Sequence, residues 1–354
     1  MILRTVDISC FRNIKEAHLA FSSQLTLLVG KNAQGKTNAL DAIHIALQGK
    51  SFRNGPDSDW FSLSDPDPIS IIAKVLSDSN RIITVEHHVM SNPPRRSHRG
   101  QKIPVIVFSP QDLSLSQGSP SDRRKFMDST LSLINPRYDK ALKQFHQALL
   151  QRNHALKDPR LAHTADSFTP AMITNGHYLW TMRRQLLDSL LPIADQMHSR
   201  ISRGERIAGK LRYGGSDIPV QTEKEYEDLL RKRRADEAMR MMTLVGPHRD
   251  ELLLTVNGVP ISLYGSQGQH RLISLSLKLG TYQLIQNEFG YRPIMLLDDV
   301  LSELDPERRR HLLQMISEPG QQTIITDTEA RNYDQLTPII YHVDQGQFVE
   351  VGST

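Results

Sequence analysis

Eight consecutive residues, Gly30-Lys31-Asn32-Ala33-Gln34-Gly35-Lys36-Thr37, fit G-x-x-x-x-G-K-[ST] in full. That spacing suits one chemistry, the cradling of a nucleotide's phosphates. Glycines let the turn curl so that successive backbone N–H groups point inward at an anion. A helix that follows the loop adds its positive N-terminal end. Lys36 then reaches the β- and γ-phosphates, and the Thr37 hydroxyl is placed to ligate Mg²⁺.

Far along the chain, Ile294-Met295-Leu296-Leu297 runs into Asp298-Asp299. A fully apolar run suits a central parallel strand, and ligands bind beyond the carboxyl ends of such strands. There Asp298 would hold the metal and Asp299 would orient an attacking water. A merely polar strand end is the alternative, and the Ser302-Glu303-Leu304-Asp305 that follows at once weighs against it. Upstream, Ser266-Gln267-Gly268-Gln269 opens a segment with apolar positions at Leu272, Ile273, Leu275, Leu277 and Leu279. Ser266 is open to two readings, a plain N-cap or, with Gly268, an anion site at a helix start.

These residues need elements to hold them. Leu25 to Val29 is a short apolar run ending in glycine, the pattern of a buried strand entering a turn. Leu40, Ile43 and Leu47 then follow helical spacing within Ala39 to Leu47. Ser70 to Val75 and Arg81 to Val89 read as strands, and Asn92-Pro93-Pro94 breaks the chain into a turn. From Asp122 to about Met242 the pattern is helical, clearest over Tyr138 to Leu156 and Tyr178 to Met197. Strands return after Gly246-Pro247, at Glu251 to Val256 and at Ile294 to Leu297. The expected architecture is an α/β head built from residues 1–115 and 246–354, interrupted by a mainly helical arm at 116–245.

The 354 residues, 38% apolar and 23% charged, are ordinary globular composition. A single cysteine, Cys10, excludes a disulfide framework and any multi-cysteine metal site. No apolar run approaches the roughly 18 residues of a transmembrane helix. The start carries Arg4 and Asp7 where a signal peptide needs an apolar stretch, so a cytoplasmic protein is expected. Charge is unevenly placed: residues 116–245 hold 22 Lys and Arg against 15 Asp and Glu, while the rest is net negative. That asymmetry hints at a polyanionic partner.

Several basic groups have competing readings. Arg95, Arg96, Arg99 and Lys102 read as a mobile hairpin tip that touches phosphate backbones or is simply solvated. Arg231-Lys232-Arg233-Arg234 is either a DNA contact or a solvated helix face with Glu227–Arg231 and Asp228–Lys232 pairs. Arg123-Arg124 reads as support for the fold, and Tyr178 and Trp180 as arm core rather than base-stacking platforms. The 14 histidines show no ligand-like spacing, and His248 has no role readable from its neighbours.

Together, the loop, the acidic strand end and the serine helix resemble the ABC-type ATPase head of SMC and Rad50 proteins. The resemblance extends to one family, RecF, over nearly the whole chain. It is carried by Phe11-Arg12-Asn13, the loop extended by Asn38, and Ser51-Phe52-Arg53. It continues through Ser109-Pro110-Gln111-Asp112-Leu113, Gly118-Ser119-Pro120, Arg123-Arg124 and Gln151-Arg152-Asn153. Gly246-Pro247-His248-Arg249-Asp250 and the run from Leu297 to Asp305 are its specific strings; the phosphate loop is generic.

The resemblance implies ATP and Mg²⁺ as cofactors, with Gln111 joining Thr37 and Asp298 toward the metal, and Ser266 and Gly268 meeting the ATP of a second subunit. It further implies an ATP-dependent homodimer that clamps duplex DNA at single/double-strand junctions. RecR, RecO and RecA loading are the implied partners, in DNA damage repair, replication and the SOS response. A structural SMC- or Rad50-like ATPase of chromosome maintenance is the alternative, disfavoured because only about 130 residues are available here for an arm. Ala33 stands where RecF proteins usually have glycine, and His270 where they have glutamine. Asp299 is shared with RecF but is Glu in most ABC heads, and Thr326-Asp327 stands where transporter heads place a switch histidine. Both features point to slow hydrolysis.

Overall fold

The computed structural model describes residues 1–53, 55–61, 68–90, 95–158, 160–202, 204–216, 218–318, 320–329 and 338–351. The expected turn at Asn92-Pro93-Pro94 lies outside them. In chain order the first strands are β1 (Ile2–Phe11), β2 (Ile14–Ala20) and β3 (Leu25–Val29), followed by helix α1 (Lys36–Gln48). Next come β4 (Ile69–Leu76), β5 (Ile82–Met90), β6 (Arg95–Arg99) and β7 (Val105–Phe108). The middle holds α2 (Ser114–Gln117), α3 (Pro120–Ile134), α4 (Pro136–Lys157), α5 (Thr169–Ser202), β8 (Ile207–Arg212) and α6 (Glu223–Arg240). It continues with β9 (Glu251–Val256), β10 (Val259–Pro260), α7 (Ile261–Tyr264) and α8 (Gln267–Phe289). The chain ends with β11 (Ile294–Asp298), α9 (Pro306–Ile316), β12 (Thr323–Asp327), β13 (Ile339–Asp344) and β14 (Gln347–Val351).

Two compact units result, one from Met1–Gln111 with Ile285–Thr354, the other from Asp112–Leu284. The first is two sheets and a helix between them. One sheet has the order β14-β13-β3-β12-β11-β7, and every pairing in it is parallel except β13 with β14. Its central strands β3, β11 and β12 are buried at every position, as parallel strands covered on both faces must be. The other sheet, β2-β1-β4-β5-β6, is antiparallel and alternates: Ile69, Ile71, Ala73 and Val75 point inward, fully buried. Helix α1 is buried along most of its length, with Ala39, Leu40, Ile43 and Leu47 fully buried, because both sheets pack on it.

The second unit differs from the expected arm in two ways. It contains a three-stranded sheet, β10-β9-β8, and it reaches to Leu284 rather than ending at 245. The cause is pairing: β8 and β9 join antiparallel from Ile207↔Val256 to Arg212↔Glu251. Leu252, Leu254, Ile273 and Leu277 then share one apolar core with Phe145, Leu179 and Trp180 of the long helices. Segment 246–284 thus belongs with the helices, and it carries Ser266 and Gly268 with it. Among the described residues no helix is long and apolar enough to cross a membrane.

Candidate functional site

The phosphate loop leaves the carboxyl end of β3, and its shape is fixed by neighbours on both sides. The Gly30 N–H donates to the Asp327 carbonyl at 3.2 Å. A Cβ on Gly30 would lie 2.2 Å from the Val343 carbonyl oxygen, so only glycine fits. At the crest, the Gln34 carbonyl accepts from Asn13 Nδ2 at 3.1 Å and from the Gly346 N–H at 2.8 Å. The Gln345 N–H donates to Gln34 Oε1 at 2.7 Å. Lys31, Asn32 and Ala33 are exposed, and Ala33 holds φ 66°, the left-handed region where glycine is relaxed.

Below the loop, the side chains at the start of α1 meet the acidic strand end. Lys36 is buried, with its ammonium curled over the loop and donating to the Gly30 carbonyl and, at 2.8 Å, to that of Lys31. Burial pushes the Lys36 pKa down, against the pull of Asp299, Asp298 and Asp327. Thr37 Oγ1 donates to Asp298 Oδ1 at 2.8 Å, and Thr326 Oγ1 donates to the same oxygen at 2.9 Å. Burial raises the Asp298 pKa despite these two bonds. Asp299 sits at φ 53°, with its N–H donating to Thr326 Oγ1 at 2.9 Å and its carboxylate accepting from Ser302 Oγ at 2.7 Å. Lys36, Thr37, Asp298 and Asp299 are therefore brought together as the sequence pattern requires.

Thr326 was not singled out as a ligand-site residue, yet its hydroxyl couples both aspartates. Two quoted strings also acquire a place. Arg12 donates to Asp41 Oδ2 at 2.6 Å, Arg53 to Asn38 Oδ1 at 2.8 Å, and Asn38 Nδ2 to Asn13 Oδ1 at 2.7 Å. Ser51 Oγ donates to Asp41 Oδ1 at 2.7 Å. Phe11-Arg12-Asn13 and Ser51-Phe52-Arg53 thus close on the first turns of α1, and the shared Arg and Asn were the signal available. The residues fit a magnesium–nucleotide: glycine cradles that a Cβ would fill, an ammonium against phosphate, and hard hydroxyl and carboxylate oxygens for Mg²⁺. Among the described residues no group of three His, Cys, Asp or Glu suggests any other metal centre.

Other expected site residues are placed differently. Gln111 is exposed in the 3-10 turn Pro110–Leu113, and the register Leu297↔Phe108 puts it at the same sheet end as Asp298. No hydrogen bond joins it to Thr37 or Asp298 among the described residues. Ser266 Oγ accepts from the Gln269 N–H at 3.2 Å, while Gln269 Oε1 accepts from the Ser266 N–H at 3.1 Å, a reciprocal helix cap. Both Ser266 and Gly268 sit in the second unit.

The basic cluster is corrected. Arg95–Arg99 is strand β6, paired with β5 from Glu86↔Arg99 to Met90↔Arg95, rather than a hairpin tip. Charges are how an edge strand avoids pairing with other chains. Arg96, though exposed, is engaged within the chain, bonded to Asp57 at 2.9 Å and to the Gly49 carbonyl, and lying 5.6 Å over the Trp60 ring. Arg95, Arg99 and Lys102 remain exposed. Arg231, Arg233 and Arg234 pair with Asp228, Asp236 and Asp166, at i,i+3 spacings and across elements rather than at the expected i,i+4. Arg123 bonds Glu251 at 2.6 Å and Arg124 the Asp250 carbonyl at 2.8 Å, both supporting the second unit. Trp180 is core, donating to Asp250 Oδ1 at 2.8 Å.

Residues 1–168 match the AAA ATPase domain family. The DNA replication and repair protein RecF of Rippkaea orientalis is 36% identical over 368 residues, covering 94% of this chain and 95% of that one. That of Bacillus subtilis is 34% identical, covering 95% and 96%. The chain belongs to the RecF family. A solved structure of the recombination mediator protein RecF with ATP in the RecFOR pathway superposes at TM-score 0.89, with 27% identity over 99% of this chain and 98% of that one. The Smc head domain of Pyrococcus furiosus shares the fold at TM-score 0.57 and 16% identity, covering 99% and 96%. The fold is thus the expected α/β, ABC-type ATPase head with a second, mainly helical unit, as in RecF proteins.

Proposed function

We propose that this chain is an ATP-dependent DNA clamp of recombinational repair and replication restart. It closes on duplex DNA near single-strand gaps and promotes RecA loading with RecR and RecO, in the cytoplasm. The observation that carries the reading is the Thr37–Asp298–Thr326 cluster directly beneath the phosphate loop. Lys36 compensates phosphate charge; Thr37 and Asp298 hold the metal, with Gln111 joining from the neighbouring strand end. Mg²⁺ supplies charge neutralisation on the phosphates when bound. Asp299 positions the attacking water. Its short carboxylate is already bonded to Ser302, and Thr326-Asp327 stands in place of a histidine, which supports slow turnover and a switch rather than a metabolic enzyme.

Dimerisation follows from sharing ATP: a ligand contacted by two copies shifts the monomer–dimer equilibrium only while its γ-phosphate is present. Ser266 and the start of α8 from a second copy supply the other half of the site, the N-terminal dipole helping. The SMC-like alternative is not favoured, because α4 and α5 close into their own core with β8 and β9. Sedimentation with ATP tests the reading. Ser266→Arg and Lys36→Ala should each stay monomeric, while their mixture recovers partial dimer through one intact composite site. A monomeric mixture would overturn the shared site.

A further inference from the structure

At the C-terminal end of α6 lies a pocket of about 210 Å³, lined by Gly215, Arg233, Asp236, Arg240, Leu244 and Arg249. It is well below the roughly 300 Å³ of drug-sized ligand sites, and suits an anchoring side chain. Arg233 pairs with Asp236 at 3.2 Å, so three guanidiniums line the pocket against one carboxylate. The α6 dipole opposes an anion here, and Arg240 in the last turn offsets it.

The wall is built from two strings that the nucleotide site leaves unused. Arg249 Nε donates to the Thr243 carbonyl at 3.0 Å, and its NH2 lies 3.1 Å from Met242 Sδ. Thr243 is itself fixed, its Oγ1 accepting from Arg152 at 2.8 Å and its N–H donating to Asn153 Oδ1 at 2.7 Å. The Leu244 N–H donates to Glu237 at 2.8 Å, and Glu237 pairs with buried Arg152 at 2.6 Å. Arg152-Asn153 and His248-Arg249 thereby hold one pre-organised basic surface.

Planar guanidinium forks recognise carboxylates and phosphates alike. What separates the two is the apolar surroundings: Met242 touches the lining Arg249, Met239 and Met241 flank the lining Arg240 in the chain, and the three are 41%, 80% and 50% exposed. Methionine and arginine together are enriched at protein–protein interfaces, and methionine adapts its shape to apolar partners. A surface for a sugar-phosphate backbone has no use for three exposed thioethers. We propose that this pocket docks a protein partner through a short segment carrying Asp or Glu beside apolar residues. The site is separate from the nucleotide chemistry and does not depend on it.

Selection of a random dodecapeptide phage library on the full chain tests this, followed by anisotropy of the labelled consensus peptide. The consensus should place acidic beside apolar residues. Arg240→Glu should weaken it by about tenfold or more, and Met239→Ser by roughly threefold. Both positions are exposed, so melting should fall only slightly, in Arg240→Glu through its place against the α6 dipole, and Lys36→Ala should leave peptide affinity intact. Affinity for a short duplex should also be unchanged in Arg240→Glu. A consensus without acidic residues, an affinity indifferent to both substitutions, or duplex binding that falls instead of peptide binding would each overturn the proposal.

Discussion

Both compact units bury charge, and their buried cations fare in opposite ways. In the second unit, fully buried Arg183 donates to Asp250 at 2.6 Å, to Asp128 at 2.7 Å and to the Pro247 carbonyl at 2.7 Å. Burial works against its charge, yet Tyr138, Asp128 and Asp250 raise its pKa. Asp250 is buried too, and burial raises its pKa against the pull of Arg183, Trp180 and the Gly214 N–H, as it does for Asp298 in the first unit. In the first unit burial prevails: Lys36 is pushed down and Asp298 up, each toward its neutral form. A buried cation paired with two carboxylates is architecture, whereas one that donates only to two carbonyls is placed to take an anionic ligand.

The largest effect should come from breaking the paired side. Arg183→Met leaves buried Asp250 and half-buried Asp128 without their guanidinium and should cost about 3 to 5 kcal/mol in urea unfolding. Lys36→Met removes an under-compensated buried charge and should change stability by less than about 1 kcal/mol. Equal costs for the two would erase the distinction. The converse holds for ligand: Lys36→Ala should take ATP affinity down by roughly 100-fold or more in calorimetry, through loss of charge-assisted bonds to phosphate. Normal affinity in that variant would remove the loop from the site.

A smaller effect should be common to both units. His87 in the first and His248 in the second are held neutral, each with a pKa lowered to about 4, chiefly by burial. Unfolded, each binds its proton near 6.5. Their stabilisation is therefore complete above that pH and is lost as pH falls from 6.5 toward 4. The loss at pH 5 should be on the order of 2 kcal/mol per histidine, read from urea midpoints. His87→Phe and His248→Phe should each flatten the dependence, and a profile unchanged by both would show that these rings titrate normally.

Legibility followed sequence distance. β3, the loop and α1 are contiguous, and their glycines, lysine and apolar spacing state the structure locally. Asp298 and Asp299 were readable because an apolar strand must end somewhere polar. Thr326 was not, since its role exists only once β12 lies beside β11 in parallel register, Asp298↔Thr326. β8 was hidden because Ile-Ala-Gly-Lys-Leu-Arg has little strand preference until β9 pairs with it. Arg95–Arg99 reads as a solvated tip for the same reason: five polar residues form a strand only because β5 offers an edge. The Gly-Pro-His-Arg-Asp string was visible as a motif, but nothing local reveals that Asp250 is the buried partner of Arg183.

The smallest effect is backbone strain at the phosphate loop. Ala33 at φ 66° adopts a conformation that costs an L-residue about 1 to 2 kcal/mol and glycine nothing. Ala33→Gly removes that cost but loosens the unfolded chain by roughly 0.5 to 1 kcal/mol. The net should be a stabilisation of about 0.5 kcal/mol, with ATP affinity nearly unchanged, because the N–H donors stay in place. Gly35→Ala should move the other way. Its φ is 117°, and a Cβ would lie 2.9 Å from the Asn13 amide, which itself ties the loop crest through Gln34. That variant should lose both stability and ATP affinity. If Ala33→Gly instead destabilised the first unit, the loop would be held by side-chain packing at Ala33 rather than by the bonds to Asn13 and Gly346.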